Sequence, residues 1–305
     1  MNYKYYISDV FTNQIFGGAQ VAVFPVADGL TGQMMAKIAR EINLSDTVFL
    51  FKQHDSENNW KMRVFSPISE IDRTGHPVIA ATYVLASCGE LELTEGNTSL
   101  VFEQNTSSVT ANVASKNGKP GSIQYTRQAS PIVDFYAPTD SEIAKILSIP
   151  ESEVDNKKYS TRLVSCGRPY LIVPVFYYET IRKARFNFAA WTQSSAPQTT
   201  AQEILLVSPR TPNKDSDFAV RLLGPNIGVH QDPPVGNTMA SLASYLCSFD
   251  FMREGTYTYA VERGDEKVRR SVLNLEMDHK GEDTLTFRVG GEAVVATDAT
   301  MYITE

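Results

Sequence analysis

The sequence contains no stretch of about 18 consecutive apolar residues, which is roughly the length that a membrane-spanning helix needs. The residues after Met1 include no apolar run of signal-peptide length. Cysteine is scarce as well: there are three, Cys88, Cys166 and Cys247, an odd number without the spacing of a metal site. We therefore expect a cytoplasmic protein with no membrane span, whose thiols are buried and reduced.

The chain is also poor in positive charge. It has 28 Lys and Arg residues against 35 Asp and Glu residues, a formal net charge of −7 and a pI of about 5.3. Its densest basic run, residues 267–270, is short, whereas proteins that bind nucleic acid present a concentrated basic surface. We expect no nucleic-acid partner. An acidic ligand would need local positive potential, such as that of a helix N-terminus.

Several common catalytic motifs are missing. The sequence has no G-x-G-x-x-G, no P-loop and no G-x-S-x-G motif. Its four histidines, at positions 54, 76, 230 and 279, are scattered, and none has a zinc-type partner at helical spacing. The sequence therefore gives no support for nucleotide, serine-hydrolase or metal chemistry, and we expect no metal.

The length and composition suit two domains of about 150 residues each. Apolar residues make up 42% of the 305 residues, and no low-complexity tract indicates extended disorder. Short segments of alternating polarity, interrupted by a few helical segments, favour an α+β fold. The second half is predicted to begin near residues 128–131.

Apolar periodicity predicts the individual elements. Apolar residues at helical spacing after Thr31 predict a capped helix over 32–42. Thr139 and Glu142 have the spacing of a capping box, which predicts a helix over 140–148. Glycine and proline within 114–122 predict a hairpin tip. The predicted strands cover residues 5–11, 20–25, 47–52, 60–66, 162–175 and 203–208.

Two further predicted helices are apolar on nearly every side, which is typical of a helix surrounded by protein. One begins at Gly75-His76-Pro77, and the other begins at Gly236-Asn237-Thr238. Aligned on their glycines, both have a polar residue next and then alanine-rich turns, a weak internal similarity. This predicts two related halves, each with β-structure around one central helix. The N-termini of these helices could hold a substrate carboxylate.

Five ordered segments span almost the whole chain. They are Asp9-Val-Phe-Thr12 followed by Gly17-Gly18-Ala-Gln-Val-Ala-Val-Phe24, then Glu41-Ile-Asn-Leu-Ser-Asp46-Thr-Val-Phe49, Phe65-Ser-Pro67-Ile-Ser-Glu70 with Gly75-His76-Pro77, Asp232-Pro-Pro-Val-Gly236-Asn237, and Arg288-Val-Gly-Gly291-Glu-Ala-Val-Val295. Together these segments resemble the PhzF-like phenazine biosynthesis family.

The resemblance implies a diaminopimelate epimerase-like fold of the α+β class, with two pseudo-symmetric halves, each a curved sheet around a central helix. Residues 1–128 would form the first half, completed by C-terminal strands at about 288–305, and residues 129–287 the second. The active site would lie in the cleft between the halves. The resemblance also implies a homodimer, no cofactor, and an isomerase that transfers a proton on a small carboxylate-containing metabolite.

Site residues follow from the same resemblance. Asp46 stands where the family has the glutamate of an N-L-S-E-T motif, its general acid and base. His76 and Asp232 match two further catalytic positions of the family. The expected substrate-binding residues are Ser45, Arg73, Gly75, Gly236 and Asn237.

Each of these assignments has a structural alternative. Asp46 could instead turn the chain before the strand at 47–52, and His76 could be bonded to solvent or backbone at the start of its helix. Asp232 precedes two prolines and is a natural turn residue. Arg73 is either a bidentate carboxylate clamp or a solvated residue on the rim of the site.

The chain departs from the family pattern at several site positions. Thr74 and Val235 stand where racemases of this fold have two thiols, so a carboxylate must move the proton. Asp46 is one methylene shorter than glutamate, and Asn237 replaces a serine. These changes favour an altered substrate. They also support a rival interpretation, a catalytically impaired member that binds a small molecule or a protein. A hydrolase or lyase on the same scaffold is a third alternative.

Overall fold

The computed structural model describes residues 1–53, 58–72, 75–201, 203–225, 227, 232–265, 267–281 and 284–303, and in this part of the chain strands contain more residues than helices. The strands are β1 (Asn2–Val10), β2 (Ala19–Phe24), β3 (Asp46–Lys52), β4 (Asn59–Phe65), β5 (Glu70–Ile71), β6 (Gly96–Glu103), β7 (Ser108–Lys116), β8 (Lys119–Ala129), β9 (Ile132–Asp134), β10 (Arg162–Ser165), β11 (Pro169–Pro174), β12 (Ile204–Ser208), β13 (Phe218–Leu223), β14 (Gly255–Asp265), β15 (Val268–His279), β16 (Leu285–Gly291) and β17 (Ala293–Tyr302). The α-helices are α1 (Gly32–Ile42), α2 (His76–Cys88), α3 (Asp140–Leu147), α4 (Tyr178–Lys183), α5 (Phe188–Gln193) and α6 (Met239–Cys247).

The first of two compact units comprises Met1–Arg127, Asp265–Ser271 and Arg288–Glu305. In its sheet, β1 pairs antiparallel with both β17 and β2. Next to β2 lies β3 in parallel, followed by antiparallel β4. The short β5 pairs with β4, and β6, β7 and β8 extend the pairing from the other end of β4.

The two helices of this unit pack on opposite faces of that sheet. Side chains alternate along β3, so Asp46 points to one face and Phe49 to the other. Phe49 belongs to the apolar cluster with α1, which contributes Met35, Ile38 and Ala39. The other face is covered by α2, which packs against β1, β2, β3, β7 and β17. Because strands surround it, α2 is buried along most of its length, as its apolar sequence predicts.

The second unit comprises Gln128–Gly264 and Val272–Phe287. Its strands β9, β10 and β11 are antiparallel, β12 is parallel to β11 and antiparallel to β13, and β14 is parallel to β13. A core of aliphatic residues from α3, β11 and β12, with Trp191, fills one side. The buried helix α6 packs against β10 and β11.

Most of the predicted elements are confirmed. Thr31 caps α1 through its side chain, and Thr139 and Glu142 form the predicted capping box of α3. The predicted hairpin tip contains the turn between β7 and β8, and the predicted strands around 162–175 are β10 and β11. One prediction needs correction: the second apolar helix begins at Met239, because Gly236–Thr238 form a 3-10 turn.

This mostly β architecture with a few helices is the predicted α+β class. Within the described ranges, no helix is both long enough and apolar enough to cross a membrane.

Candidate active site

Asp46 and His76 meet at one end of the first unit's sheet. Asp46 is the first residue of β3 and lies beside Val21 of the parallel strand β2. His76 is the first residue of α2, which begins after Gly75 and has Pro77 in its first turn. Because α2 covers the face to which Asp46 points, the start of the helix brings the imidazole over the carboxylate.

The two side chains form a buried hydrogen-bonded pair. Nε2 of His76 lies 2.9 Å from Oδ2 of Asp46, and the side chains are 3% and 5% exposed, respectively. Among the described residues, the other polar atoms of the pair, Oδ1 of Asp46 and Nδ1 of His76, are buried without a hydrogen-bond partner. Buried polar atoms are rarely left unpaired, so these two are candidates for contact with a ligand.

The pair has the chemical capacity to hold and move a proton. When Asp46 is ionised, Nε2–H of a neutral His76 donates to Oδ2, and Oδ1 is then an open acceptor. A carboxylate within about 3 Å of a substrate C–H bond can act as general base and then as general acid. The Asp46 carboxylate is buried and bonded to His76, and its role in the site stays a prediction.

Gly75 is buried at the N-terminus of α2, directly against Tyr125 of β8. A Cβ atom at position 75 would lie 2.2 Å from the Tyr125 hydroxyl oxygen. The tyrosine is 1% exposed, and burial raises its pKa, so the hydroxyl keeps its proton. Of the other predicted binding residues in this region, Ser45 is half-buried and directly precedes Asp46, and Arg73 lies outside the described residues.

In the second unit, Asp232 is 6% exposed and faces two guanidinium groups. Nη1 of Arg182 donates to Oδ2 of Asp232 at 2.7 Å, and Nε of Arg221 lies 3.6 Å from Oδ1. Arg221 also donates to backbone carbonyls at the end of α4, including that of Ile181 at 2.9 Å. Asp232 thereby ties α4 to the segment that leads into the 3-10 turn.

That turn contains the last two predicted site residues. Gly236 is buried, whereas Asn237 is exposed. Thr238 closes the turn by donating its hydroxyl and its N–H to the carbonyl of Val235, at 2.8 and 2.9 Å. The 3-10 turn therefore leads directly into α6.

Three residues beside the predicted ones, two of them buried and one half-buried (Arg182), were not expected from the sequence. They are Tyr125, Arg182 and Arg221. For Tyr125 a signal existed, since it continues the apolar alternation of β8 but carries a hydroxyl. For the two arginines the signal is absent, because each reaches Asp232 from an element distant in sequence.

The cysteines are unpaired by disulfides but half-buried rather than buried as expected, and burial raises the pKa of each thiol, that of Cys247 to about 11. In the described ranges, no three His, Cys, Asp or Glu side chains come together as metal ligands.

The chain is similar to proteins of one family along nearly its whole length. The family model described as phenazine biosynthesis-like protein (PhzC-PhzF) matches residues 8–299. An uncharacterised isomerase of Mesorhizobium japonicum is 29% identical over 306 residues, covering 98% of this chain and 99% of that protein. A trans-2,3-dihydro-3-hydroxyanthranilate isomerase of Pseudomonas aeruginosa is 32% identical over 85 residues, covering 28% of this chain and 30% of that protein.

A solved structure shows the same fold. The phenazine biosynthesis protein of the PhzF family from Bacillus anthracis matches with a TM-score of 0.86 at 21% identity, covering 99% of this chain and all of that one (100%). Low identity limits this comparison to the fold, and the fold that the sequence motifs implied is confirmed.

Proposed function

This chain belongs to the phenazine biosynthesis-like protein family, and from that premise we propose that it is an isomerase that transfers a proton on a small carboxylate-containing substrate without a cofactor. The observation that supports this most is the buried Asp46–His76 pair, which leaves one carboxylate oxygen open. An unpaired buried oxygen costs folding free energy, so a role for it in contact with a substrate is expected, and the exchange experiment below separates catalysis from binding alone.

In the proposed reaction, Oδ1 of Asp46 takes a proton from an sp3 carbon atom next to a double bond that is conjugated with the substrate carboxylate. The electrons of the broken C–H bond enter the π-system, and the anion that forms is delocalised. Asp46 then returns the proton to a second carbon, so the double bond moves and no atom is gained or lost. His76 holds Oδ2 in place by its hydrogen bond and thereby orients Oδ1.

The remaining predicted residues have supporting roles in this proposal. Backbone amides of Gly75 and Gly236, together with Ser45, Asn237 and Arg73, would bind the oxygens of the substrate. Asp232 of the second unit stays a predicted catalytic residue, held by its partners Arg182 and Arg221. The homodimer that the family resemblance implies stays a prediction, which light scattering of the purified protein tests.

The test is solvent-deuterium incorporation with the variant Asp46→Asn. Wild-type protein in D2O is incubated with a panel of small unsaturated and cyclic carboxylates, including trans-2,3-dihydro-3-hydroxyanthranilate, and carbon-bound deuterium is measured by NMR. We expect incorporation into at least one compound. Because the amide cannot accept the proton, we expect Asp46→Asn to lower the rate by a factor of about 100 or more.

Asp215→Asn is the matched control, because it makes the same change at an exposed aspartate of the second unit. It should incorporate deuterium at the wild-type rate. Full activity in a folded Asp46→Asn variant would refute the role of Asp46. Tight binding of a carboxylate without any exchange would support the rival binding protein, and release of a leaving group or addition of water would support a hydrolase or lyase.

A further inference from the structure

Arg269 forms a dense set of contacts with residues about 250 positions earlier in the chain. It lies in the Asp265–Ser271 segment of the first unit. Its Nη2 donates to a carboxylate oxygen of Asp9 and, at 2.8 Å, to the carbonyl of Gly17. Its Nε donates to the carbonyl of Gly18 at 3.1 Å. One guanidinium group thus binds the end of β1 and the segment that precedes β2.

Asp9 completes this arrangement from the other side. Its second oxygen accepts the N–H of Phe16 at 2.7 Å. Phe11, Phe16 and Gly18 all have positive φ, at 63°, 67° and 57°, respectively. Phenylalanine rarely adopts this conformation. A side chain at Gly18 would lie 2.2 Å from the carbonyl of Val10. The segment Phe11–Gly18 is therefore held in one strained shape by Asp9 and Arg269.

This held segment lies at the end of the sheet where Asp46 is found. Val10 pairs with Ala19, so the segment is the connection between the end of β1 and the start of β2. Two residues further along β2, Val21 pairs with Asp46. A shift of the Phe11–Gly18 segment would therefore displace β2 and, through the pairing of Val21 with Asp46, the start of β3.

Stability alone does not explain the Asp9–Arg269 pair. Asp9 is 0% exposed, and burial raises its pKa despite the adjacent guanidinium, which lowers it. An ion pair of this kind is weak evidence for stability, because removing the carboxylate from water offsets much of the attraction between the charges. With Asp9 buried and Arg269 29% exposed, the pair is better explained by the geometry that it enforces.

We propose that Arg269 is a positioning residue for proton transfer at Asp46: through Asp9, Gly17 and Gly18 it fixes the Phe11–Gly18 segment as one border of the site. This inference rests on the proposed function. Arg269 itself does not touch the substrate; it sets the position of the segment and of β2, and hence the alignment of a bound carboxylate with Asp46.

The test compares the double variant Asp9→Asn/Arg269→Gln with wild type. Urea denaturation measures the free energy of unfolding of the double variant, and the kinetics are compared under conditions in which both proteins are folded. Since glutamine lacks the guanidinium fork, kcat/KM for deuterium incorporation should fall tenfold or more. Arg269→Lys keeps the charge without the fork and should also stay at least tenfold below wild type.

The control is Lys267→Gln, which removes a charge from an exposed residue of the same segment and should leave the rate unchanged. Wild-type kinetics in the folded double variant, or full rescue by Arg269→Lys, would overturn the inference.

If wild type itself exchanges no substrate, the proposed function fails separately. Amide hydrogen exchange at Phe16 and Gly18 then decides: faster exchange in the double variant supports the hold of Arg269 on the segment, and unchanged exchange overturns it.

Discussion

Gly75 has a φ of −107°, a value that any L-amino acid can adopt, so its backbone conformation does not require glycine. The requirement comes from packing. The Tyr125 hydroxyl oxygen would lie 2.2 Å and its ring carbon Cζ 2.8 Å from a Cβ atom at this position. The ring cannot move aside easily because it is buried in the unit's core.

We therefore predict that Gly75→Ala lowers the free energy of unfolding by about 1–3 kcal/mol, the usual effect of overpacking a core. Urea denaturation followed by tryptophan fluorescence measures it. Tyr125→Phe removes the nearest atom, so the double variant should recover part of the loss. An unchanged denaturation midpoint in Gly75→Ala would show that the ring relaxes, contrary to this account.

At the same scale, the sequence pointed to Asp46 and His76 but not to the residues around the predicted site. Asp46 and His76 were named from local motifs, and the structure brings them to 2.9 Å. Their roles, like that of Asp232, stay predictions. The arginine partners of Asp232 have no local signature, because Arg182 and Arg221 reach it from α4 and β13. Such long-range ion pairs are set by tertiary packing, which one sequence does not reveal.

Among the elements, the short strand β5 directly precedes the segment that leads to α2. Arg63 of β4 donates two hydrogen bonds to Glu70 of β5, from Nε to Oε1 at 2.8 Å and from Nη2 to Oε2 at 2.7 Å. Asn105 donates to the same Oε1 at 3.0 Å. The two ionic side chains are 24% and 28% exposed, so water screens the pair only partly.

The hydrogen bonds from Arg63 hold the pKa of Glu70 below its usual value of 4.5. A lowered folded-state pKa stabilises the fold above about pH 4.5, and the contribution is lost as the pH falls through the folded-state pKa. We predict that Glu70→Gln lowers the free energy of unfolding by about 1 kcal/mol at neutral pH.

The loss caused by the same substitution should be smaller at about pH 3 than at neutral pH, because the contribution of the ionised Glu70 declines as the pH falls toward its lowered folded-state pKa. Urea denaturation at the two pH values measures the change, and Glu92→Gln, at an exposed site, is the control. An equal loss at both pH values would indicate that the effect comes from packing and not from the charge of Glu70.

Helix starts show where local sequence is sufficient and where it fails. The caps at Thr31 and Thr139 use side chains within three residues of the N–H groups that they bind, so their pattern is visible in the sequence. At Gly236 the pattern predicted a helix, but Thr238 binds the carbonyl of Val235 and the turn is 3-10. Competing hydrogen bonds of this kind delay α6 to Met239.

On the scale of the whole molecule, the first unit is assembled from distant parts of the chain. β1 pairs with β17 from Asn2 opposite Tyr302 to Val10 opposite Ala293. The alternation of apolar residues predicted that strands exist, but it carries no information on which strands pair. Only the family resemblance led us to expect the C-terminal residues beside the first half of the chain.

This closure predicts a strong effect of truncation. A chain that ends at Glu292 lacks β17, which leaves the edge of β1 unpaired and removes part of the cover of α2. We expect limited proteolysis to cleave the region of residues 1–127 at least tenfold faster than in the full chain. A chain that ends at Ile303 retains all of β17 and should resist like the full chain. β1 and β17 lie at opposite ends of the chain, so their pairing must close a loop of nearly the whole sequence, and refolding should also be slow. Equal resistance of the shorter chain would mean that β2 and α2 alone hold β1 in place.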